Sequence, residues 1–406
     1  MVVSTTSAAL SAALEPGWLS DQVGYPVEAR SMRIKPGTSL LVGFRGTGSD
    51  GEDAQGWLRV MWPAGAKKAA RHELKAQSLG RSAPVRPALP HLAPGFYPVA
   101  AHGASAAQAR GFEAGSVVQF GSVLTDPKLM DALQSTGALE PLADENQTLP
   151  RVLRYNPARR LVVLRGRRVE RVLAGGGAPD TTIHRFVGNH LPVPPLLAPS
   201  ADTGLPALEY VGTRDLSEAQ TEQQAAAAGE LFARLHACIL TLPATLMRAL
   251  ENKTPSADAG SSGSRQLSVH ARVLESLDTN LASRCRNLAR ALPPVAGALV
   301  LLHGDASPDQ VITDDGGQLW LTDFDRSHLG PAALDLGSYN CTSSPQAATA
   351  FLEGYRAAGG AKISPEDLLL GSAHALALRA VEPLRQARPT WREDVAHNLA
   401  RIENLL

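Results

Sequence analysis

The stretch "LLHGDASPDQVITDDGGQLWLTDFDRSHLGPAALDLGSY" runs from residue 301 to residue 339 and alternates short apolar runs with acidic residues. The apolar run at its start predicts a buried strand that ends near His303 and Asp305. The segment that follows is typical of a hairpin, with strands "QVIT" and "QLWLTDFD" on either side of the turn "DDGG". The acidic residues of the stretch are Asp305, Asp309, Asp314, Asp315, Asp323, Asp325 and Asp335. Most of these carboxylates are therefore expected at strand ends rather than on a solvated helix.

The predicted hairpin returns two of these acids to the end of the first strand. Asp323 and Asp325 would lie beside Asp305 and Gln310, and desolvated carboxylates repel each other unless a cation lies between them. Oxygen ligands favour magnesium, calcium or manganese over zinc. The spacing therefore predicts a divalent-metal site with one further carboxylate for proton handling, and the alternative is a structural ion-pair cluster. The two acids in the turn are expected to be solvated.

The composition of the chain narrows the class of protein. Its 406 residues include 39 basic and 39 acidic side chains, so the net charge gives no argument for binding nucleic acid or an anionic membrane. The cysteines Cys238, Cys285 and Cys341 are far apart and show neither metal nor disulfide spacing, which favours a reducing compartment. We see no signal peptide and no apolar run of about 18 residues. We therefore expect a cytoplasmic protein with no nucleic-acid and no membrane partner.

Changes in pattern divide the chain into three parts. Residues 1–148 are expected to form an α+β extension, with an alanine-rich helical start and two strands around a Gly/Asp loop over 39–65. Residues 149–212 open with a predicted three-strand meander, "RVLRYNPARRLVVLRGRRVERVL", followed by a helix and a further strand over 205–216. Residues 213–406 are mostly helical and enclose the carboxylate-rich segment. The predicted fold class is α+β, with a small antiparallel sheet joined to a larger helical lobe.

The same segment carries a resemblance to a known family. "HGDASPDQ", "LTDFDR" and "GPAALDLG" resemble the catalytic segment of the aminoglycoside phosphotransferase and choline kinase superfamily, where H-G-D is followed by four residues, then Asn, and then a hairpin with an acidic pair. "AAAAGELFARLHA" (225–237) and "FLEGYRAAG" (351–359) resemble helices of that family. The resemblance covers roughly residues 150–400. It implies a two-lobed protein-kinase-like fold, here with an N-terminal α+β extension.

Catalytic roles follow from the resemblance, position by position. Asp305 would orient or accept the proton of the attacking hydroxyl, and His303 would hold the catalytic loop by hydrogen bonds. Gln310 would take the place of the metal-binding Asn, with a side chain that is one methylene longer. Asp323 would bind the metal that bridges the nucleotide phosphates, and Asp325 would support the same site.

The resemblance also implies nucleotide contacts in the small lobe. The family's phosphate-binding lysine is absent, and by strand position Arg171 takes its place, although arginine is bulkier and not interchangeable with lysine. The helix predicted over 179–191 offers no glutamate to pair with it. In the turn "YNPARR", Arg159 or Arg160 would cap the phosphates. The adenine is expected near the backbone of the hinge residues Glu209, Tyr210 and Val211.

Three functions fit this pattern. The first, which we predict, is transfer of the γ-phosphate of ATP or GTP, with Mg²⁺, to a hydroxyl of a small molecule such as a natural product or antibiotic. The second is phosphorylation of Ser or Thr in a peptide during peptide natural-product biosynthesis, with a partner protein bound through the extension. The third is a pseudokinase that regulates a partner. The missing lysine and glutamate favour the third, and the presence of Asp305 and Asp323 opposes it.

Overall fold

The computed structural model describes residues 5–48, 53–88, 112–113, 115–141, 148–253 and 262–406. The strands in these ranges are β1 (Val27–Lys35), β2 (Ser39–Thr47), β3 (Asp53–Met61), β4 (Val85–Pro87), β5 (Val117–Ser122), β6 (Arg151–Asn156), β7 (Arg160–Arg165), β8 (Arg168–Leu173), β9 (Leu196–Leu197), β10 (Ala207–Glu209), β11 (Arg214–Asp215), β12 (Leu299–Leu302), β13 (Val311–Thr313), β14 (Leu319–Leu321) and β15 (His328–Pro331). The helices are α1 (Thr5–Leu14), α2 (Pro16–Val23), α3 (Ala66–Ser78), α4 (Met130–Thr136), α5 (Thr182–Val187), α6 (Glu222–Ala237), α7 (Ala244–Lys253), α8 (Ser262–Leu274), α9 (Thr279–Ala291), α10 (Ala333–Thr342), α11 (Pro345–Ala357), α12 (Pro365–Arg379), α13 (Glu382–Arg385) and α14 (Trp391–Glu403).

The extension contains an antiparallel sheet with the strand order β1-β2-β3-β5-β4. Strands β2 and β3 pair along their whole length, which confirms the two strands predicted over 39–65. The sequence did not reveal β1, where only Val27 and Met32 are buried. An irregularity in the pairing between Ala29 and Ser31 breaks the alternation of inward and outward side chains by which a strand is recognised.

The second sheet has the order β6-β7-β8-β10-β9. The predicted meander is confirmed, and Gly166 makes its second turn with a φ of 59°. The strand predicted over 205–216 is corrected to two short pieces. The first, β10, completes this sheet, whereas β11 pairs with β13 in a separate sheet. The connection to the large lobe therefore begins at the end of β10.

The large lobe is helical around two small sheets. Helix α6 begins at a capping box in which Thr221 and Gln224 exchange hydrogen bonds with each other's backbone N–H, and it packs along α11. The predicted hairpin is confirmed, since β13 and β14 pair from Val311 opposite Leu321 to Thr313 opposite Leu319. Strand β12 pairs with β15. The ends of β12 and β14 thus lie on the same side of the lobe, where the acidic residues were expected.

The extension is packed against both lobes. One buried apolar cluster joins Leu10, Val42 and Leu58 of the extension to Ala377 and Trp391 of the large lobe. A second cluster joins the segment around α4 to the inner side chains of β7 and β8. Strand β1 also contacts α13. The division of the chain into domains near residues 148 and 212 remains a proposal. Two buried apolar clusters each contain residues from both sides of residue 148.

No single helix in the described ranges is long and apolar enough to cross a membrane. One bent pair, Glu222–Thr241 with Ala244–Asn252, passes by length and composition when both helices are taken together.

Candidate active site

Asp335 fixes the turn that follows β12. Its buried carboxylate accepts hydrogen bonds from the backbone N–H of His303 at 2.7 Å and of Gly304 at 3.0 Å, and it lies 3.2 Å from Nε2 of His236. Burial alone would raise the pKa of Asp335, but the hydrogen bond with His236 and the backbone N–H of His303 bring that pKa below its ordinary value. Asp335 therefore anchors the turn that carries His303 and Gly304.

The turn is also tied to the end of β14. Nε2 of His303 lies 2.7 Å from the carbonyl oxygen of Thr322, the residue before Asp323. Gly304 has a φ of +80°, and a Cβ added there would lie 2.2 Å from the carbonyl oxygen of Arg326, so only glycine fits. The two loops that carry the carboxylates are consequently held side by side by bonds to main-chain atoms.

Asp305 is clamped between two arginines. Its Oδ1 lies 2.9 Å from Nη2 of Arg379, and its Oδ2 lies 3.0 Å from Nη1 of Arg326. Arg379, on α12, also donates from Nη1 to Oγ of Ser338 at 2.9 Å. Neither arginine was predicted: Arg379 lies on α12, far along the chain, and Arg326 ends the stretch "LTDFDR", where only the fold shows that it reaches Asp305. Each oxygen of the proposed proton acceptor therefore already has a cationic partner.

Asp323 and Asp325 face arginines from the small lobe. Nη1 of Arg171 lies 2.9 Å from Oδ2 of Asp325 and 3.7 Å from Oδ1 of Asp323. Arg160 lies 3.4 Å from Asp323 and 3.3 Å from Asp325. Burial raises the pKa of Asp323, and the charges of Arg160 and Arg171 outweigh burial and lower it. These four side chains bridge the two lobes.

Two features of Asp323 are typical of a functional residue. Its backbone has a φ of 60° and a ψ of 62°, a left-handed conformation that costs free energy in a residue other than glycine. Its Oδ1 is buried and has no hydrogen-bond partner. Gln310 is buried close by in the same cavity and donates from Nε2 to Oδ2 of Asp309 at 2.9 Å.

This donor set fits a magnesium ion. Two carboxylates and an amide oxygen are hard ligands, and Mg²⁺ takes few protein ligands because it keeps waters and substrate phosphates. Within the described ranges, no three His, Cys, Asp or Glu side chains form a group that could hold a metal by themselves. A metal at Asp323 and Asp325 would therefore depend on Gln310 and on a bound polyphosphate for its remaining ligands.

A cavity of about 410 Å³ lies between the small sheet and the loop after β14. Five of the predicted residues line it, and they are Arg160, Arg171, Gln310, Asp323 and Asp325. Apolar side chains from the sheet, including Val162, Val169 and Leu173, form its opposite wall. The cavity thus combines an apolar surface suited to a planar base with a charged end.

Helix α5 places a histidine where the sequence offered no glutamate. His184 lines the cavity, and its Nε2 lies 2.8 Å from the carbonyl oxygen of Pro194. Burial is the main cause that lowers the pKa of His184, and the charge of Arg171 lowers it further. The imidazole is therefore neutral at physiological pH. Arg171 takes its partners from the large lobe instead.

The hinge residues Glu209, Tyr210 and Val211 stay a prediction. The N–H groups of Glu209 and Tyr210 donate to the carbonyls of Pro195 and Arg167. The cavity is lined by the preceding residues 206–208, and the three hinge residues lie just beyond its lining. The short strand β9, which the sequence did not show, pairs with β10.

The two neighbouring arginines that were predicted to cap the phosphates lie in different surroundings. Arg160 points into the cavity, whereas Arg159 is exposed and does not line it. The turn that carries them is held by Asp126 of the extension. The buried Oδ2 of Asp126 accepts from the hydroxyl of Tyr155 at 2.7 Å and from the N–H of Ala158 at 2.8 Å. Asp126 was not predicted, since only the fold brings it to this turn.

Comparison with protein-family models identifies the class of protein. The model described as APH, phosphotransferase enzyme family, matches residues 142–369, which is more than half of the chain. The chain therefore belongs to the phosphotransferase enzyme family. The α+β fold class expected from the sequence is confirmed, with a small antiparallel sheet, a larger helical part and the N-terminal extension.

Solved structures of the same general kind are distant from this chain. A choline/ethanolamine kinase family protein from Mesorhizobium loti is 17% identical, with a TM-score of 0.45 over 68% of this chain and 94% of that one. A choline kinase from Streptococcus pneumoniae is 12% identical, with a TM-score of 0.42 and coverages of 68% and 98%. The GDP complex of an aminoglycoside 2'-phosphotransferase is 15% identical, with a TM-score of 0.42 and coverages of 68% and 97%. A search of curated proteins found no match.

Proposed function

We propose that this protein transfers the γ-phosphate of ATP or GTP, with Mg²⁺, to a hydroxyl group of a small molecule such as a natural product or antibiotic. The observation that carries the proposal is the arrangement of Asp305 and Asp323. Nε2 of His303 lies against the carbonyl oxygen of Thr322, so the two acidic loops are held side by side. Asp323 lines the cavity, and Asp305 lies outside its lining. Membership of the phosphotransferase family agrees with this arrangement.

The metal end of the site would be formed by Asp323, Asp325 and Gln310. Oδ1 of Asp323, which accepts no hydrogen bond, is the first oxygen that we expect a cation to take. A bound Mg²⁺ would neutralise charge on the phosphates during transfer. Arg160 and Arg171 now neutralise these carboxylates. When metal and nucleotide enter, the two guanidinium groups would turn to the phosphate oxygens, which they bind bidentately.

Asp305 would act on the acceptor. The hydroxyl oxygen of the acceptor attacks the γ-phosphorus, the bond from that phosphorus to the β-bridging oxygen breaks, and the nucleoside diphosphate leaves. The proton of the hydroxyl passes to a carboxylate oxygen of Asp305. Arg379, held by Ser338, would keep the carboxylate in place. Little covalent chemistry is required of the protein, so positioning and charge provide most of the rate.

The metal–nucleotide site is tested by thermal unfolding with Mg-ATP and Mg-GTP. A ligand at about 100 times its dissociation constant adds roughly 2.7 kcal/mol to the free energy of unfolding. We expect a magnesium-dependent shift in the wild type that Asp323→Asn removes. Asp315→Asn, a change of the same kind in the exposed hairpin turn, should keep the full shift. Absence of a shift with both nucleotides would contradict the proposal and favour a pseudokinase.

A further inference from the structure

The two arginines on Asp305 differ in how firmly they are held. The side chain of Arg379 is 27% exposed and is fixed by its second bond to Ser338. The side chain of Arg326 is 63% exposed, and Asp305 is its only ionic partner among the described residues. Arg326 can therefore leave Oδ2 of Asp305 at small cost, because exposed ion pairs contribute little free energy.

Arg326 belongs to a group of arginines, since its charge and those of Arg33 and Arg385 all act on Arg159. The arginine rim consists of Arg33 on β1, Arg159 in the turn after β6, Arg326 after β14 and Arg385 on α13. Strand β1 contacts α13. The β6–β7 turn rests on the β1–β2 hairpin, since a Cβ added at Gly43 would lie 2.8 Å from Cγ of Pro157. Distant parts of the chain, the extension included, thus bring their cations together.

Few acids balance this rim. Arg385 is 3.6 Å from Glu382, and Arg326 is paired with Asp305. In the ranges that the structure covers, no acidic side chain lies within ion-pair distance of Arg33 or Arg159. Burial lowers the pKa of Arg159. The positive charges of Arg33, Arg385 and Arg326 repel the charged guanidinium group and lower this pKa further. An excess of positive charge with exposed guanidinium groups is an anion-binding surface.

We propose that the acceptor is an anionic hydroxyl compound whose carboxylate or phosphate group binds to the arginine rim. This inference rests on the proposed function and names the class of acceptor. The anionic group attracts Arg326 away from Oδ2 of Asp305, and that oxygen then becomes free to receive the proton of the acceptor hydroxyl. Arg379 stays in place and keeps the carboxylate oriented.

The arrangement makes acceptor binding and catalysis depend on the same arginine. An acceptor without negative charge gives Arg326 no new partner, so the ion pair with Asp305 continues to compete with proton transfer. A cationic acceptor is in addition repelled by the rim. An anionic group on the acceptor should therefore raise kcat as well as the affinity for the acceptor.

The test uses protein saturated with Mg²⁺ and the β,γ-methylene analogue of ATP, so that the γ-phosphate position is filled. Inorganic phosphate and lactate are then titrated separately by calorimetry, as probes for a phosphate and a carboxylate group. We expect at least one anion to bind the wild type. Arg33→Gln and Arg385→Gln should each weaken it about fivefold or more. Arg356→Gln, a matched change at an exposed arginine on α11, should leave it unchanged.

The affinity for the nucleotide analogue separates this inference from the proposed function. Loss of analogue binding in the wild type would contradict the proposed function itself. Normal analogue binding with no binding of either anion would overturn only the anionic acceptor. The inference would also be wrong if Arg33→Gln and Arg385→Gln weakened the analogue as much as the anion, because the rim would then belong to the nucleotide.

Discussion

The carboxylates around the site fall into two groups that are satisfied in different ways. Asp335 and Asp126 are almost fully buried and receive backbone N–H donors together with side-chain bonds from His236 and Tyr155. Asp305, Asp323 and Asp325 take their charged partners from arginine side chains. Backbone donors cannot move without unfolding the loop, whereas a guanidinium group can exchange one anion for another. The first group is built for stability and the second for exchange with ligands.

The largest effect expected from this comparison is on the stability of an Asp335→Asn variant. The amide cannot accept all the bonds of the carboxylate and presents an N–H₂ group to the N–H of His303 or Gly304. We expect the free energy of unfolding to fall by about 3 kcal/mol. Urea unfolding measures this. Asp325→Asn, an acid of the second group, should lose less than about 1 kcal/mol.

The pH dependence sharpens the same prediction. The pKa of Asp335 is lower in the folded protein than in the unfolded chain, so the folded state favours the charged form. Its stabilisation is complete above the unfolded value of about 3.9 and is lost as the pH falls through the lower folded value. The difference between wild type and Asp335→Asn should therefore be constant near neutral pH and shrink in acid. A difference that grew on acidification would contradict this assignment.

A smaller loss is expected from Asp126→Asn. Asp126 holds the turn that carries Arg160, so we expect a loss of about 2 kcal/mol and faster hydrogen exchange at the amide of Ala158. Asp131→Asn, on α4, removes an exposed ion pair with Lys75 of α3; it is the matched control and should change neither quantity appreciably. Unchanged exchange at Ala158 in Asp126→Asn would show that the extension does not order this turn.

The smallest expected effect is on the nucleotide affinity of two Arg171 variants, which distinguish the charge of the side chain from its planar shape. Arg171→Gln should weaken Mg-nucleotide binding about tenfold, because a charged hydrogen bond to a phosphate contributes roughly 1.5 kcal/mol. Arg171→Lys, which restores the residue usual in the family, should stay within about threefold of the wild type. Calorimetric titration of both variants decides the point, and equal losses would mean that the planar guanidinium is required rather than its charge.

The features that were predictable from sequence are those formed within one short segment. The strand ending at His303, the hairpin of β13 and β14, and the return of Asp323 depend on residues 301–325 alone, so turn chemistry and periodicity were enough. The meander β6–β8 was equally local. Arg171 was placed by its strand position, and the structure brings it into the cavity.

The features that sequence did not predict depend on residues that are far apart along the chain. Arg379 reaches Asp305 across 74 positions, and Asp126 reaches Ala158 across 32. No periodicity links such pairs, since each is created by packing of separate elements. Strand β1 was missed because an irregular register hides its alternation. Strand β9, which pairs with β10, was missed because it has only two residues.

The most direct test of the account compares Asp305→Asn with Asp323→Asn. Phosphoryl transfer is measured at saturating Mg-nucleotide, and nucleotide affinity is measured separately by calorimetry. We predict that Asp305→Asn lowers the transfer rate by a factor of about 10² to 10⁴ while the nucleotide binds as in the wild type, and that Asp323→Asn loses magnesium-dependent binding. Full turnover in Asp305→Asn, or unchanged metal–nucleotide binding in Asp323→Asn, would contradict the division of roles between the two carboxylates.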